Sequence, residues 1–156
     1  MVDDLEMTDS HDEWYTQTKD YDEWCNKYNI RPYLDVAASR GSHMCESYLT
    51  KSVDALTLDW DEDFFMNPPL LGGLTKKFVL YAYDQAFKNN VNGLCLIPAG
   101  VIARQWFRPI WDRFVNNTQG GNVTIDPIHR PSFHDHGQAI GQQARNDYIM
   151  LVLRGR

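Results

Sequence analysis

The 156-residue chain is 43% hydrophobic and 13% aromatic, which is enough for a packed core and excludes the composition of disordered segments. That length suits one domain, and the net charge of −6 taken whole argues against a nucleic-acid partner. The charge is unevenly spread: residues 1–24 hold nine acids against Lys19 alone, a balance of −8, whereas the other 132 residues hold twelve acids and fourteen bases.

Residues 1–12 read as a frayed acidic leader, and 13–156 as a single domain. Trp24, Cys25 and Tyr28 fall at helical spacing and predict a short amphipathic helix over Tyr21–Tyr28, ended before Pro32. Tyr33–Ala38 reads as a buried strand running into a turn at Ser39–Ser42. Residues 43–50 are expected to form a short helix, and Val53–Leu56 a short strand. The Phe64-Phe65-Met66 strand must end at Pro68 and Pro69. Thr75 suits the N-cap of a helix reaching about Lys88, with Phe78, Ala82 and Ala86 at i, i+4 and i+8. Leu94–Ile97 is a second strand, stopped by Pro98. Ile102–Phe114 reads as a helix kinked at Pro109, with Trp106, Phe107, Trp111 and Phe114 on its core face. Val123–Ile125, an irregular polar stretch over 129–146, and a last strand Tyr148–Leu153 complete the chain. Strands alternating with helices and ending in strands predict an open, mostly parallel α/β sheet with an antiparallel C-terminal strand.

No apolar run approaches the roughly 18 residues that a membrane span needs, and the acidic start lacks the basic region of a signal peptide. Cys25, Cys45 and Cys95 lack zinc spacing and read as reduced thiols of an intracellular protein. His129 and the His134-Asp135-His136 triplet read as solvated surface or phosphate contacts, and no metal site is expected. Asp59, Asp61, Glu62 and Asp63 around Trp60 read as a solvated turn. No serine or cysteine triad and no phosphate-binding glycine loop stand out.

The most informative tetrapeptide is Asn67-Pro68-Pro69-Leu70, at the carboxyl end of the Phe-Phe-Met strand. Ligands of open α/β sheets bind at such strand ends. Two consecutive prolines lack backbone N–H groups and have a fixed φ, so their carbonyls point outward rather than rejoining a ladder. An amide oxygen beside a rigid carbonyl gives two acceptors at fixed separation, which suits an exocyclic amine. The same tetrapeptide also suits a plain strand-ending turn.

Six landmarks in order decide between these readings. They are Glu13-Trp14-Tyr15-Thr16-Gln17, Leu34-Asp35-Val36-Ala37-Ala38-Ser39 with Cys45 and Tyr48 after it, Asp54-Ala55-Leu56 with Trp60, Asn67-Pro68-Pro69, Leu96-Ile97-Pro98-Ala99, and Trp106-Phe107. Together they resemble the phage-type DNA N6-adenine methyltransferase family, relatives of Dam methylases, from Glu13 to about Phe114. The resemblance implies a reduced, Rossmann-like sheet that binds S-adenosylmethionine (AdoMet) and methylates N6 of a flipped-out adenine in double-stranded DNA. It implies that Tyr15, Thr16 and the turn Asp35, Ala37, Ala38 and Ser39 contact the methionine half of the cofactor. Asp54 and Leu56 would meet its adenosine part, and Asn67, Pro68, Pro69 and Leu70 would line the base pocket. N4 of cytosine would accept the same chemistry, and a non-catalytic DNA- or AdoMet-binding module is the competing class.

Two positions depart from the family pattern: Leu70 stands where an aromatic usually stacks on the base, and Gln17 where a proline is usual. Phe64, Phe65 and Trp106 are the candidates for a substitute ring. There is no room for an inserted recognition domain between Asp35 and Asn67, so segment 116–146, with Arg130 and Arg145, is either the sequence reader or a polar surface loop. Lys76 and Lys77 follow Asn67–Leu70, and Arg104 and Arg108 follow the next strand end. With Arg130 they are the expected phosphate contacts. One chain of this size would cover half of a palindromic site, which makes a homodimer one expected assembly, with no membrane partner.

Overall fold

The computed structural model describes residues 15–16, 18–38, 43–50, 54–70, 73–116, 122–128, 132–135, 138–143 and 147–156, with backbone alone for 15–16, 132–135 and 138–143. In chain order they form β1 (Tyr15–Thr16), α1 (Thr18–Tyr28), β2 (Leu34–Asp35), β3 (Ser47–Tyr48), β4 (Phe64–Met66), α2 (Leu74–Asn89), β5 (Asn92–Pro98), α3 (Arg108–Asn116), β6 (Val123–Ile128), β7 (Ser132–Asp135), β8 (Gln138–Gln143) and β9 (Tyr148–Arg154). Six strands make the main sheet in the order β3-β2-β4-β5-β9-β6, and β1-β7-β8 make a second one. β2 is parallel to β3 and β4, and β4 is parallel to β5. β9 runs antiparallel between β5 and β6. This is the expected open, mostly parallel sheet with an antiparallel C-terminal strand.

Successive strand residues point to opposite faces, and both faces here are apolar, so the sheet is covered on both sides. Phe65, Leu94, Leu96, Met150 and Val152 meet Tyr21, Trp24, Cys25 and Tyr28 of α1, the face whose helical spacing is visible in the sequence. Their neighbours Phe64, Met66, Cys95, Ile97, Ile149 and Leu151 meet Val79, Ala82 and Ala86 of α2 and Ile110 of α3. α2 ends at Asn90, whose left-handed φ of 56° turns the chain so that the following Val91 N–H also reaches the Ala86 carbonyl, at 3.0 Å.

Several predicted elements take a different form. Residues 43–50 give the edge strand β3 rather than a helix, because Ser47 and Tyr48 pair with Leu34 and Asp35. Of the strand expected over Val53–Leu56, Val53 lies outside the described residues and the rest forms no strand: the Asp54 carboxylate accepts from Leu56 N–H at 3.1 Å and caps a 3-10 turn over Ala55–Thr57. The helix expected from Ile102 is two 3-10 turns, Ala99–Ala103 and Gln105–Phe107, followed by α3. Pro109 falls in the first turn of α3, where a missing N–H costs nothing, and so starts the helix rather than kinking it. Gly73, not Thr75, is the N-cap of α2. The stretch read as irregular contains β7 and β8.

Candidate active site

The chain leaves β2, adds β3 on one side of it, then crosses to β4 on the other side. Such a reversal of strand order opens a crevice beyond the carboxyl ends of the two inner strands, where ligands of open α/β sheets bind. The turn after β2 and the Asn67–Leu70 segment after β4 therefore stand side by side.

The turn is pinned from both flanks. Val36 N–H donates to the Phe65 carbonyl of β4 at 3.1 Å, and Ala38 N–H donates to the Leu49 carbonyl just past β3 at 2.9 Å. Asp35 braces it from within: its carboxylate accepts from Ala37 N–H at 3.3 Å and from Met44 N–H at 2.8 Å. At 3% exposure, burial pushes the Asp35 carboxyl up to about 6, against the two N–H donors and nearby His43, which favour the charged form. His43 is held by its Nδ1, which donates to the Cys45 carbonyl at 2.7 Å, and its ring stacks on Tyr48 at 3.8 Å. Asp35 thus serves as the internal strut of the turn, and the small side chains of Ala37 and Ala38 form its half-buried rim.

Asp54 and Leu56 lie on the crossover from β3 to β4, Asp54 exposed and Leu56 half-buried. Their turn is bolted to α2 through Trp60, whose indole N–H donates to the Ala55 carbonyl at 3.0 Å. Gln85 accepts from Trp60 N–H at 2.7 Å, and Asn89 donates to both the Trp60 carbonyl and Gln85.

Asn67 and Leu70 are half-buried and Pro68 is buried. The Thr75 hydroxyl donates to the Pro69 carbonyl at 2.9 Å, tying the proline pair to the first turn of α2. The sequence marks Thr75 as a helix-start residue; that its hydroxyl reaches back to Pro69 depends on the fold. β4 ends at Met66, opposite Cys95, while β5 runs on to Pro98. At about 3.3 Å per residue, those three extra residues carry β5 about 10 Å beyond the end of β4, and the chain continues through Ala99–Phe107, where Ala99 N–H donates to the Asp147 carbonyl at 2.9 Å.

The remaining sequence candidates are dispersed. Lys76 and Lys77 are exposed in the first turn of α2 and Arg104 is exposed between the two 3-10 turns after β5, all following the carboxyl ends of strands. Arg108 is also exposed but pairs with Asp112 at 2.8 Å, which partly answers its charge. Tyr15 and Thr16 lie in the second sheet, opposite His134 and Phe133 of β7. Ser39, Gln17, Arg130 and Arg145 fall outside the described residues. Asp63, read as part of a solvated turn, instead accepts from Asn92 N–H and pairs with Arg156, both at the opposite end of the strands. A groove of about 380 Å³ between α1 and the segment before β3 is lined by Tyr21, Arg31, Tyr33, His43 and Glu46, among others, and shares none of the crevice residues.

Among the described residues no group of three metal-ligating side chains converges, and the three cysteines are free and buried. Burial holds all three thiols above their usual range, which disfavours the thiolate. No helix among the described residues is long and apolar enough to cross a membrane.

Against known proteins, residues 6–118 match the model of the family described as DNA N-6-adenine-methyltransferase (Dam). A solved structure described as human methyltransferase 10 domain containing protein is similar over 88% of this chain and 80% of that one, at 11% identity and a TM-score of 0.49. The comparison with curated proteins returns no match.

Proposed function

Because this chain belongs to the DNA N-6-adenine-methyltransferase (Dam) family, we propose that it transfers a methyl group from AdoMet to the N6 amine of an adenine flipped out of double-stranded DNA. The observation that carries this reading is the position of Asn67-Pro68-Pro69 at the end of β4, beside the turn of β2 at the reversal of strand order.

The crevice residues fit AdoMet. The alanine rim at 37 and 38 admits close approach, the exposed Asp54 carboxylate suits a ribose diol, and half-buried Leu56 suits the face of a purine. When bound, AdoMet supplies an electrophilic methyl group, so difficult chemistry resides in the cofactor. The chain's own work is alignment. The Asn67 amide oxygen and the Pro68 carbonyl would accept the two N–H groups of the target amine, favouring a pyramidal nitrogen with its lone pair turned to the methyl group. Such fixed acceptors act as preorganised dipoles, and the hydrogen bond from Thr75 to Pro69 keeps them from relaxing. The amine lies inside a duplex until its base is extruded. Exposed Lys76, Lys77 and Arg104 are suited to hold the flanking phosphates.

The test is incubation with tritiated AdoMet and mixed-sequence DNA, digestion to nucleosides, and separation of the products. Label in N6-methyladenine is expected; label in N4-methylcytosine instead would move the assignment to the other exocyclic amine. Leu70 favours a second reading, a binding module without catalysis. That reading requires AdoMet binding by calorimetry, no label in any nucleoside, and indifference to Asn67→Ala.

A further inference from the structure

Phosphate contacts fix the register of a protein on DNA but carry no sequence information, which comes from base edges in the grooves. Within the methyl-transfer reading, on which this inference rests, a base-reading element has to stand at the crevice end of the sheet. The topology puts one segment there. β6 leaves the main sheet at Ile128, opposite Tyr148, and Tyr148 lies opposite Pro98 at the carboxyl end of β5. β4 is parallel to β5, so this is the end at which Asn67 follows β4. Three residues lead from Ile128 to β7, and four lead from β8 back to Tyr148. Both feet of the β7–β8 pair are thus no more than about 18 Å from the strand ends. The return link is fixed there, since the Asp147 carbonyl accepts from Ala99 N–H, just past β5, at 2.9 Å.

β7 and β8 are antiparallel, and β1 pairs with the other side of β7, which leaves β8 an outer strand among the described residues. A free two-stranded ribbon is marginal in water, so a third strand from the other end of the chain braces this one. Between the pairs Ser132–Gln143 and His134–Ala139, β8 has three residues and β7 one, an irregularity of the kind that bends and twists a ribbon. A two-stranded ribbon fits the major groove of B-DNA, which is about 12 Å wide. β8 has no charged residue and three glutamines, Gln138, Gln142 and Gln143. Glutamine is a residue type whose amide matches the paired acceptor and donor on the major-groove edge of adenine. The sequence around the ribbon suits a polyanion: residues 130–145 hold two arginines against Asp135 alone, a balance of +1 in a chain of −6. We propose that the β7–β8 ribbon enters the major groove beside the target adenine and that β8 reads flanking A·T pairs through Gln138, Gln142 and Gln143.

The experiment sequences N6-methyladenine in a duplex pool randomised around one adenine, for the unaltered protein and for the triple variant Gln138→Ala/Gln142→Ala/Gln143→Ala. The unaltered protein should favour a context containing flanking A·T pairs, and the triple variant should lose about 10-fold or more of that preference. Transfer in disfavoured contexts and AdoMet affinity should stay within about threefold. 7-Deazaadenine at the preferred flanking positions removes only the major-groove N7 acceptor. It should lower kcat/KM of the unaltered protein by about 10-fold and leave that of the triple variant unchanged. Equal urea midpoints keep a folding defect apart; where the triple variant unfolds early, the three single variants carry the same comparison. Equal methylation in every context, a preferred context without flanking A·T pairs, or an unchanged preference in the variant overturns this assignment alone. An unchanged preference together with a dimer in sedimentation gives the β8 edge to a second copy instead. A uniform loss in all contexts also overturns it and marks β8 as structural. No transfer to any DNA by the unaltered protein overturns the methyl-transfer reading and this assignment with it.

Discussion

The Asp35 carboxyl makes the stability of this protein depend on pH in an unusual direction. Its value of about 6, against 3.8 for an exposed aspartate, means that the folded chain holds the proton more tightly than the unfolded chain. A raised carboxyl contributes stability that is fully present below about pH 4 and is lost as pH rises through 6. That difference corresponds to about 3 kcal/mol, undiscounted by solvent because the group is buried. Asp35→Asn removes the titration and keeps the shape. The new amide nitrogen then faces one of the two N–H groups that Asp35 accepts from, a fixed cost of about 1–3 kcal/mol that does not vary with pH. The slope therefore carries the information, not the offset. Urea titrations of both proteins between pH 4 and 7.5, followed by tryptophan fluorescence, should show the Asp35→Asn variant gaining about 2.4 kcal/mol on the unaltered protein across that range. Parallel curves would refute the reasoning, because they would mean that the donors from Ala37 and Met44 outweigh burial and that the carboxylate is already ionised at pH 4.

Three further outcomes follow from the packing and the charges. Gly93 lies opposite Phe64, and a methyl group added there would overlap that buried ring, so Gly93→Ala should cost about 1–3 kcal/mol. Adding Phe64→Leu should recover part of this loss, and an unchanged urea midpoint in the single variant would count against the packing. Asn67→Ala should remove methyl transfer to DNA while leaving AdoMet affinity by calorimetry within about threefold; equal loss of both would assign Asn67 to the cofactor side. Changing Lys76, Lys77 and Arg104 together to Gln should flatten the dependence of DNA affinity on salt by up to about 0.9 for each phosphate no longer neutralised, and an identical slope would show that DNA passes elsewhere.

What the sequence made legible was whatever burial writes as a pattern. The i, i+3, i+4, i+7 face of α1 and the apolar runs of β4, β5 and β9 were readable because each lies against a packed layer. β3 was not, since a two-residue edge strand carries no periodicity and exists only through its pairing with β2. The same holds for β7 and β8, whose polar residues give no signal of a ladder with β1. At Asp54 and Pro109 local chemistry decided the form, a side-chain cap in one case and a missing donor in the other. The candidate site was legible as positions but less so as roles. Asp35 stood out in the sequence, yet nothing there indicates that Met44, nine residues on, would take its carboxylate.

The two halves of the crevice are joined by the backbone itself. One half is the turn after β2, held by Asp35; the other is the proline pair after β4, held by Thr75. Between them runs the hydrogen bond from Val36 N–H to the Phe65 carbonyl, two residues before Asn67. A group transfer between two bound molecules depends on their separation to within about an ångström. In the proposed reaction that separation would be set by a strand-to-strand contact rather than by side chains that could rotate. The braces on either side then matter less for what they touch than for what they prevent. Asp35 stops the β2 turn from opening toward β3, and Thr75 stops the proline pair from drifting away from α2. This is why a buried carboxylate held by two backbone donors bears on the proposed reaction.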